Sequence, residues 1–198
     1  MKVIVIDRDG TLLKEPFDFQ VDSFDKLELV KDSVSCLLKL KSMGFEFLLV
    51  SNQDYLGTEK FPLKNFRGPH NLMLQIFESQ GITFKEQLIC PHGPDECSCR
   101  KPQTGLFSPK HFKDVDFDRS FVVGDRDSDM ELAKNLGFKG IKIDQNLGWK
   151  PVLRDIKKFL SCVEVSRETT ETRIQLTLID NQEGVYKGSS LPFLDHML

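Results

Sequence analysis

The sequence predicts an α/β fold in which a parallel β-sheet is covered by helices on both faces. Two observations lead to this fold: short apolar runs alternate with stretches of helical periodicity, and each connection between two runs is long enough to hold a helix. The predicted strands are residues 3–7, 46–51, 87–90, 120–124 and 140–143. The predicted helices lie near residues 31–43, 70–80, 103–113, 127–136 and 150–160.

Glycines mark the ends of three of these helices. Gly44, Gly81 and Gly137 each follow a helical stretch directly and precede the next apolar run. Glycine is the usual residue where a helix ends in the left-handed conformation. We therefore expect left-handed C-caps at these three positions.

The first strand is an apolar run, Val3 to Ile6, that leads into Asp7, Arg8, Asp9 and then glycine. Both aspartates should lie at the carboxyl end of this buried strand, where open α/β sheets place their active sites. At a strand-to-loop turn, one aspartate can offer its carboxylate and the other its backbone carbonyl to the same hard cation. This motif predicts a Mg²⁺ site.

Residues 14–30 interrupt the alternation and are rich in Phe and Asp. We expect a loop or small flap over the strand ends, because lids of this kind often select substrates. Phe17 or Phe19 would exclude water, and polar side chains would meet the substrate: Glu15, Asp18 or Gln20. A solvated acidic loop is the alternative.

Three further polar motifs stand where they can meet the same rim of the sheet. They are Ser51-Asn52-Gln53 after the second strand, Arg100-Lys101-Pro102 before a predicted helix, and Gly124-Asp125-Arg126-Asp127-Ser128-Asp129 after the fourth strand. Each residue alone has an ordinary structural explanation, such as a turn, a strand-end cap, a surface cation or an acid at a helix N-terminus. These explanations do not account for their joint occurrence at successive strand ends.

A phosphate-monoester substrate would explain the whole set. A carboxylate nucleophile approaching a phosphate dianion meets a repulsion of roughly 4 kcal/mol for two unit charges about 4 Å apart at an effective dielectric of 20. Mg²⁺ held by Asp7, the carbonyl of Asp9 and Asp125 would cancel it, with Lys101 as a second cation and the Ser51 hydroxyl on the phosphate oxygens. Asp7 would then attack phosphorus, while Asp9 serves as acid and later as base.

A second cluster lies in residues 90–99, which hold three of the five cysteines of the chain. In an extended segment, residues two apart face the same way, so Cys90 can pair with His92 and Cys97 with Cys99 around one zinc ion. Four protein ligands leave no open position, which makes the zinc structural. A disulfide between two of these cysteines is the alternative.

The pattern changes beyond about residue 160. Ile174, Leu176 and Leu178 alternate with polar residues, and residues 181–184 supply a turn before Val185. This indicates a different module, a short β-rich C-terminal stub. A hairpin of this size is marginal alone, so we interpret it as part of a truncated second domain.

Composition and charge exclude several classes of function. The formal net charge of −3 gives no electrostatic footprint for nucleic acid, and no apolar run is long enough to cross a bilayer. The first residues lack the features of a secretory signal. We therefore expect a soluble cytoplasmic protein that acts on a small molecule, without nucleic-acid or membrane partners; the oligomeric state is not indicated.

The chain carries four polar motifs in order: one with two aspartates, one with serine, one with lysine, and one with glycine and aspartate. Taken in this order, they resemble the motifs of the haloacid dehalogenase superfamily of phosphatases. The resemblance implies a Rossmann-like fold and Mg²⁺ dependence. It also implies roles for individual residues: Asp7 as nucleophile, Asp9 as acid and base, Ser51 and Lys101 as phosphate ligands, Asp125 as a metal ligand, and Asp129 as the residue that orients Lys101 or a water molecule. We add Asn52, Arg100 and Gln20 to the substrate-binding residues, Arg100 because the zinc loop would deliver it with Lys101.

Zinc-loop phosphatases of this superfamily include histidinol-phosphate and heptose-bisphosphate phosphatases. Residues 167–176 and 193–198 resemble the opening of imidazoleglycerol-phosphate dehydratase, a lyase that is fused to a histidinol-phosphate phosphatase in bifunctional proteins of histidine biosynthesis. This resemblance implies a phosphatase domain at 1–162 and a truncated dehydratase fragment at 163–198. Glu171 and His196 would belong to the dehydratase site, but the later metal motifs are missing, so we expect no dehydratase activity.

The expected reaction is therefore the Mg²⁺-dependent hydrolysis of L-histidinol phosphate through an aspartyl-phosphate. Within enzymes, the alternative is a heptose-bisphosphate phosphatase. Outside enzymes, the alternative is a zinc-stabilised binding module whose aspartates hold Mg²⁺ for structure only.

Overall fold

The computed structural model describes residues 1–168 and 173–179. The chain divides into two compact units, Met1–Ile156 and Lys157–Leu198. The predicted domain boundary at residue 162 lies a few residues beyond this division, and the assignment of the two domains stays a prediction.

A five-stranded sheet forms the first unit, and all of its strand pairs are parallel, as predicted. Its strands are β1 (Lys2–Asp7), β2 (Phe45–Asn52), β3 (Phe84–Cys90), β4 (Phe121–Gly124) and β5 (Lys139–Lys142). The spatial order is β3-β2-β1-β4-β5, so β1 lies at the centre. The chain moves outward on one side of β1 and then crosses to the other side, which opens a crevice at the carboxyl ends of the central strands.

Four α-helices connect and flank the strands: α1 (Ser33–Ser42), α2 (Leu63–Ser79), α3 (Asp127–Leu136) and α4 (Trp149–Ser161). They confirm four of the five predicted helices, although α2 begins seven residues before the predicted start. Gly44, Gly81 and Gly137 have φ angles of 84°, 80° and 73°, which confirms the predicted left-handed helix ends.

The helix predicted at residues 103–113 was wrong. This segment contains only the short 3-10 helix Pro109–Phe112. Pro109 lacks an N–H group, so it cannot continue a helical ladder from residue 105. The segment instead packs partly buried side chains against the sheet, among them Leu106, Phe107 and Phe112.

Both faces of the sheet are covered, as predicted. The register pairs Val5 with Leu48 and Val122, and these side chains form one core cluster with α3. On the opposite face Phe47 contacts Phe84, which in turn packs edge-on against Phe77 of α2. Central strands buried on both faces read as continuous apolar runs, which explains the sequence of β1 and β2.

Residues 14–30 form the predicted loop, with one short 3-10 helix at Phe24–Lys26 and an isolated bridge between Leu13 and Leu29.

The chain's single tryptophan, Trp149, is fully buried. Its indole N–H donates to the carbonyl of Thr11 at 2.8 Å, and its backbone N–H donates to that of Lys31. Trp149 therefore joins the start of α4 to the loop that follows β1.

In the second unit, β6 (Cys162–Glu168) pairs antiparallel with β7 (Arg173–Ile179). Strand β7 confirms the predicted alternation at 174–178, whereas β6 was not predicted from the sequence. The predicted turn at 181–184 and the residues Glu171 and His196 lie outside the described residues. None of the helices in the described part of the chain has the length and apolar character needed to cross a bilayer.

Candidate active site

A cleft of about 360 Å³ opens at the carboxyl ends of β1 and β2. Most of the residues predicted from the sequence to act on a phosphate line it: Asp7, Asp9, Gln20, Ser51, Asn52, Arg100 and Lys101. Phe19 also lines the cleft, whereas the Phe17 side chain is fully exposed and does not. The strand-end motifs therefore meet at one rim.

Three carboxylates lie together beside the cleft. Asp7, Asp125 and Asp129 each offer an oxygen that lies within 4.8 Å of the others. The Lys101 Nζ atom is 2.5 Å from Asp7 Oδ1 and 2.7 Å from Asp129 Oδ1. All three partners of these two ion pairs are buried. One lysine facing three carboxylates leaves an excess of negative charge, which a cation would offset.

The pKa shifts in this cluster follow from burial. Burial raises the pKa of Asp7 well above its usual value, and the neighbouring carboxylates add to this rise, although Lys101 opposes it. Burial and Asp129 likewise raise the pKa of Asp125. Burial alone would lower the pKa of Lys101, but Asp7 and Asp129 outweigh it and raise that pKa above its usual value. The lysine therefore stays charged, whereas the carboxylates are short of positive partners.

The donor set of this cluster fits a hard divalent cation. Asp125 Oδ1 is buried and has no hydrogen-bond partner. An unpaired buried carboxylate oxygen is costly, and Mg²⁺ prefers carboxylate ligands. Asp7 and Asp125 are therefore suited to hold a divalent cation, whereas both oxygens of Asp129 already accept hydrogen bonds, from Lys101 and from the Arg126 backbone.

Two glycines allow the carboxylates to approach this closely. A Cβ atom on Gly10, whose φ is +75°, would lie 2.3 Å from Asp125 Oδ2. A Cβ atom on Gly124 would lie 2.2 Å from the carboxyl carbon of Asp129. The glycines in both motifs are therefore required by the packing of the acids next to them.

Asp129 connects helix α3 to the cleft. One of its oxygens accepts from Lys101, and the other accepts from the backbone N–H of Arg126 at 3.1 Å. This second contact caps the N-terminus of α3 and fixes the carboxylate. The geometry is the one expected for a residue that orients Lys101.

Asn52 holds the backbone of Lys101 from both sides. Its Oδ1 atom accepts from the Lys101 N–H at 3.0 Å, and its Nδ2 group donates to the Lys101 carbonyl at 3.2 Å. The peptide bond that follows, between Lys101 and Pro102, is cis. Asn52 was predicted to bind substrate; it lines the cleft, and its amide also makes these two hydrogen bonds to Lys101.

Sequence reasoning missed the partners of Asp9. The Arg8 Nη1 atom lies 2.8 Å from Asp9 Oδ1 and 3.1 Å from Oδ2, and the Gln53 amide donates to Oδ2 at 2.6 Å. The same Gln53 Nε2 atom donates to Ser51 Oγ at 2.7 Å. The Ser51 hydroxyl therefore keeps its own proton for a further hydrogen bond. An arginine between two strand-end aspartates is the signal that could have indicated this pairing, because a buried charge must be paired.

Charged partners also hold the outer side chains of the cleft. Arg100 forms a bidentate ion pair with Asp54 and donates to the His92 carbonyl. Glu15 and Asp18, which were predicted to meet the substrate, form ion pairs with Arg126 and Lys26 respectively. These acids therefore face the cleft with part of their charge already balanced.

The cysteine-histidine cluster is assembled as predicted. Ligand atoms of Cys90, His92, Cys97 and Cys99 all lie within 4.8 Å of one another. The three sulfur atoms are 3.1 to 3.6 Å apart, far beyond a disulfide bond of about 2.05 Å. The disulfide alternative is therefore not supported, because the cysteines are free. Zn–S bonds of about 2.3 Å in a tetrahedron require sulfur separations of roughly 3.8 Å, close to those observed.

The thiols of this cluster differ in acidity. Burial raises the pKa of Cys90 to about 12. Burial also acts to raise the pKa of Cys97, but the hydrogen bond that it accepts from Cys99 contributes to lowering this pKa to about 7. Without a cation close by, the Cys90 thiol therefore keeps its proton near neutral pH, and a metal bound by the four ligands would have to displace that proton.

Comparison with known proteins identifies similar chains. A family model described as HAD-hydrolase-like matches residues 98–153, which include Lys101, Asp125 and Asp129.

Curated relatives are similar over the whole chain. The histidine biosynthesis bifunctional protein HisB of Campylobacter jejuni is 46% identical over all of this chain and 56% of its own length. The protein of the same name from Legionella pneumophila is 44% identical over all of this chain and 57% of its own length. The chain therefore spans little more than half the length of these relatives.

Solved structures share the fold. The D,D-heptose 1,7-bisphosphate phosphatase from B. bronchiseptica, complexed with magnesium and phosphate, is 30% identical, with a TM-score of 0.63 over 71% of this chain and 79% of that one. A HAD-like phosphatase from Mesorhizobium loti also has a TM-score of 0.63, over 80% of this chain and 87% of that one. At 19% identity, the second likeness concerns the fold alone.

Proposed function

The chain belongs to the haloacid dehalogenase-like hydrolases, and from this premise we propose that it is a Mg²⁺-dependent phosphatase that hydrolyses L-histidinol phosphate. Membership of this family makes the chain an enzyme, so the alternative of a zinc-stabilised binding module is not favoured. The similarity of the whole of this chain to part of the histidine biosynthesis proteins supports a substrate from that pathway.

One observation carries the proposed chemistry: Lys101 bridges two buried carboxylates while a third, Asp125, keeps an unpaired buried oxygen. An unpaired buried carboxylate oxygen costs free energy, and a cation bound there would remove that cost. Mg²⁺ held by Asp7, the Asp9 carbonyl and Asp125 would supply positive charge to the incoming phosphate dianion. Lys101 and the Ser51 hydroxyl would hold the remaining phosphate oxygens.

In the first half-reaction, a carboxylate oxygen of Asp7 forms a bond to phosphorus while the bond from phosphorus to the histidinol oxygen breaks. Asp9 donates its proton to that departing oxygen. In the second half-reaction, Asp9 takes a proton from water, whose oxygen attacks phosphorus and releases the Asp7 carboxylate and phosphate. Asp9 thus regains its proton once per turnover.

The flap supplies groups for the organic part of the substrate. Histidinol phosphate carries an ammonium and an imidazole, which acidic and amide side chains can recognise. Glu15, Asp18 and Gln20 line the cleft beside Phe19. We assign substrate selection to these residues, and contact with the phosphate to Arg100, which also lines the cleft.

We assign two further roles on the same basis. The four-ligand cluster would hold a structural zinc ion that orders the segment leading to Arg100 and Lys101. Residues 1–162 would form the phosphatase domain, and residues 163–198 would belong to a dehydratase domain. A cytoplasmic location would suit a biosynthetic enzyme.

Phosphate release from L-histidinol phosphate, with and without Mg²⁺, tests the main proposal. We expect hydrolysis only with Mg²⁺ and no turnover in Asp7→Asn, whose circular dichroism should match that of the parent protein. D,D-heptose 1,7-bisphosphate is the competing substrate, because the similar B. bronchiseptica enzyme is named for it. A higher kcat/KM for the heptose would overturn the substrate assignment, and full activity of Asp7→Asn would overturn the mechanism.

Metal analysis of the purified protein tests the zinc assignment. We expect about one zinc per chain in the parent protein and much less in Cys97→Ser, because the site would lose one of its four ligands. Cys36→Ser is the matched control, since Cys36 is a buried cysteine outside the cluster. Equal zinc content in Cys97→Ser and the parent protein would refute the assignment.

A further inference from the structure

Arg8 lies between the two strand-end aspartates and is fully buried, with 0% of its surface exposed. It does not line the cleft, whereas its neighbour Asp9 does. Burying a guanidinium costs free energy unless its N–H groups and its charge are matched. The contacts of Arg8 therefore indicate what the residue does.

The guanidinium is directed at Asp9. Arg8 Nη1 contacts both carboxylate oxygens, and Nη2 lies 3.5 Å from the Val21 carbonyl. The guanidinium carbon lies 4.9 Å from the centre of the Phe66 ring, and Phe66 stacks on His70 at 4.6 Å. The Arg8 Nε atom is buried without a hydrogen-bond partner. Arg8 therefore contacts both oxygens of Asp9 although its own Nε–H group has no partner.

Gln53 holds the same carboxylate from a second direction. Its amide donates to Asp9 Oδ2 and to the Ser51 hydroxyl. Arg8 and Gln53 therefore hold both oxygens of Asp9, while Asp9 itself still lines the cleft. Fixing a reacting group before the substrate arrives removes an entropic cost from the reaction.

We propose that Arg8 is a positioning residue that acts through Asp9, holding its carboxyl group where it can transfer a proton to the leaving oxygen of the substrate. This inference rests on the proposed phosphatase function and extends it to a residue that never touches the substrate. It makes the effect of Arg8 depend on the leaving group. An alkoxide needs the proton of Asp9 to depart, whereas p-nitrophenolate is stable enough to leave without one.

The test compares kcat/KM for L-histidinol phosphate and p-nitrophenyl phosphate in Arg8→Lys and Arg8→Met. This parameter reports the steps up to departure of the leaving group, so the later hydrolysis of the aspartyl-phosphate does not enter. We expect a loss of about 100-fold for the alkyl phosphate, the usual effect of displacing a catalytic group by about 1 Å. The loss for p-nitrophenyl phosphate should be several times smaller.

Two controls separate positioning from a general loss of structure. Arg154→Met replaces an exposed arginine of α4 and should leave both substrates unaffected. Asp9→Asn should reproduce the difference between substrates, and adding Arg8→Lys to it should not enlarge that difference, because two residues that act through one group are not additive. If Arg8→Met does not fold, Arg8→Lys decides, since it keeps the buried charge.

The outcomes distinguish this inference from the proposed function. Equal losses for both substrates, or losses that add to those of Asp9→Asn, would overturn the role of Arg8 while the parent enzyme remained an active phosphatase. A parent protein that hydrolyses neither substrate would overturn the proposed function and, with it, the role of Arg8.

Discussion

The side-chain amide of Asn52 makes two hydrogen bonds to the backbone of Lys101, one to its N–H and one to its carbonyl. The two residues are separated by 49 positions in sequence. This contact ties the segment that follows the cysteine cluster to the end of β2. The backbone of Lys101 is therefore held in the position from which its ammonium group contacts Asp7 and Asp129.

Replacing Asn52 tests this contact. Asn52→Leu keeps the shape of the side chain but removes both hydrogen bonds, so Lys101 should lose its fixed position. Two hydrogen bonds of about 1 kcal/mol each predict a fall in kcat/KM of roughly 30-fold for phosphate release. Asn146→Leu, at an exposed asparagine, is the matched control. Equal activity of the two variants would show that the contact does not position Lys101.

Lys101→Met should both inactivate and destabilise the protein. The variant leaves the buried carboxylates of Asp7 and Asp129 without their shared cation. Breaking a buried ion pair by removing one partner costs about 3 to 5 kcal/mol in the free energy of unfolding, which urea denaturation without added Mg²⁺ would measure. Lys142→Met, which removes an exposed ion pair with Asp127, should change stability little. A similar loss in both variants would contradict the importance of burial here.

Gly10→Ala should abolish Mg²⁺-dependent activity, because the new Cβ atom would displace the Asp125 carboxylate that it meets at 2.3 Å. Gly81→Ala is the control: its φ of +80° is nearly the same, but nothing lies within 4 Å of the added atom. We expect Gly81→Ala to lose about 1 kcal/mol of stability from the positive φ alone and to keep full activity. Retained activity in Gly10→Ala would mean that Asp125 is not needed for catalysis.

His70 should make stability depend on pH. Burial lowers the pKa of His70, and its Nδ1 atom is buried without a partner, so protonation opposes folding. The pKa of this His is therefore lower in the folded than in the unfolded state. Its contribution to stability is complete above the unfolded pKa of about 6.5, and stability falls as the pH decreases below that value.

His70→Phe keeps the stacking on Phe66 and removes the titration. In urea denaturation between pH 7.5 and 4.5, the stability of the parent protein should therefore decrease more steeply than that of the variant. A difference between the two proteins that stays constant across this range would rule out His70 as the titrating group.

Local patterns in the sequence predicted most of the fold. The apolar runs of β1 and β2 are buried on both faces, so their composition follows directly from their position. Gly44, Gly81 and Gly137 have positive φ angles. The local sequence alone was sufficient to predict them. The segment 103–113 was misjudged because its apolar residues pack against the sheet without a helix. Tertiary packing decided its conformation there.

The candidate site divides in the same way. Asp7, Ser51 and Asp125 lie at or directly after the carboxyl ends of strands β1, β2 and β4, so their convergence could be inferred from topology. Lys101 was assigned from its motif, because the helix predicted at 103–113 was wrong. The partners that hold the site residues could not be inferred, because Asn52 and Lys101, or Gln53 and Asp9, are distant in sequence and pair only after folding. The role of Arg8 could not be inferred either, because its burial and its contact with Phe66 arise only in the folded chain.

The single tryptophan gives the protein a built-in optical reporter. The Trp149 indole donates to the carbonyl of Thr11, which lies four residues after Asp7 in the loop that follows β1. Its emission should therefore respond when that loop moves or takes up a ligand, without any dye attached. Titrating Mg²⁺ or phosphate while following this fluorescence would observe the aspartate loop directly.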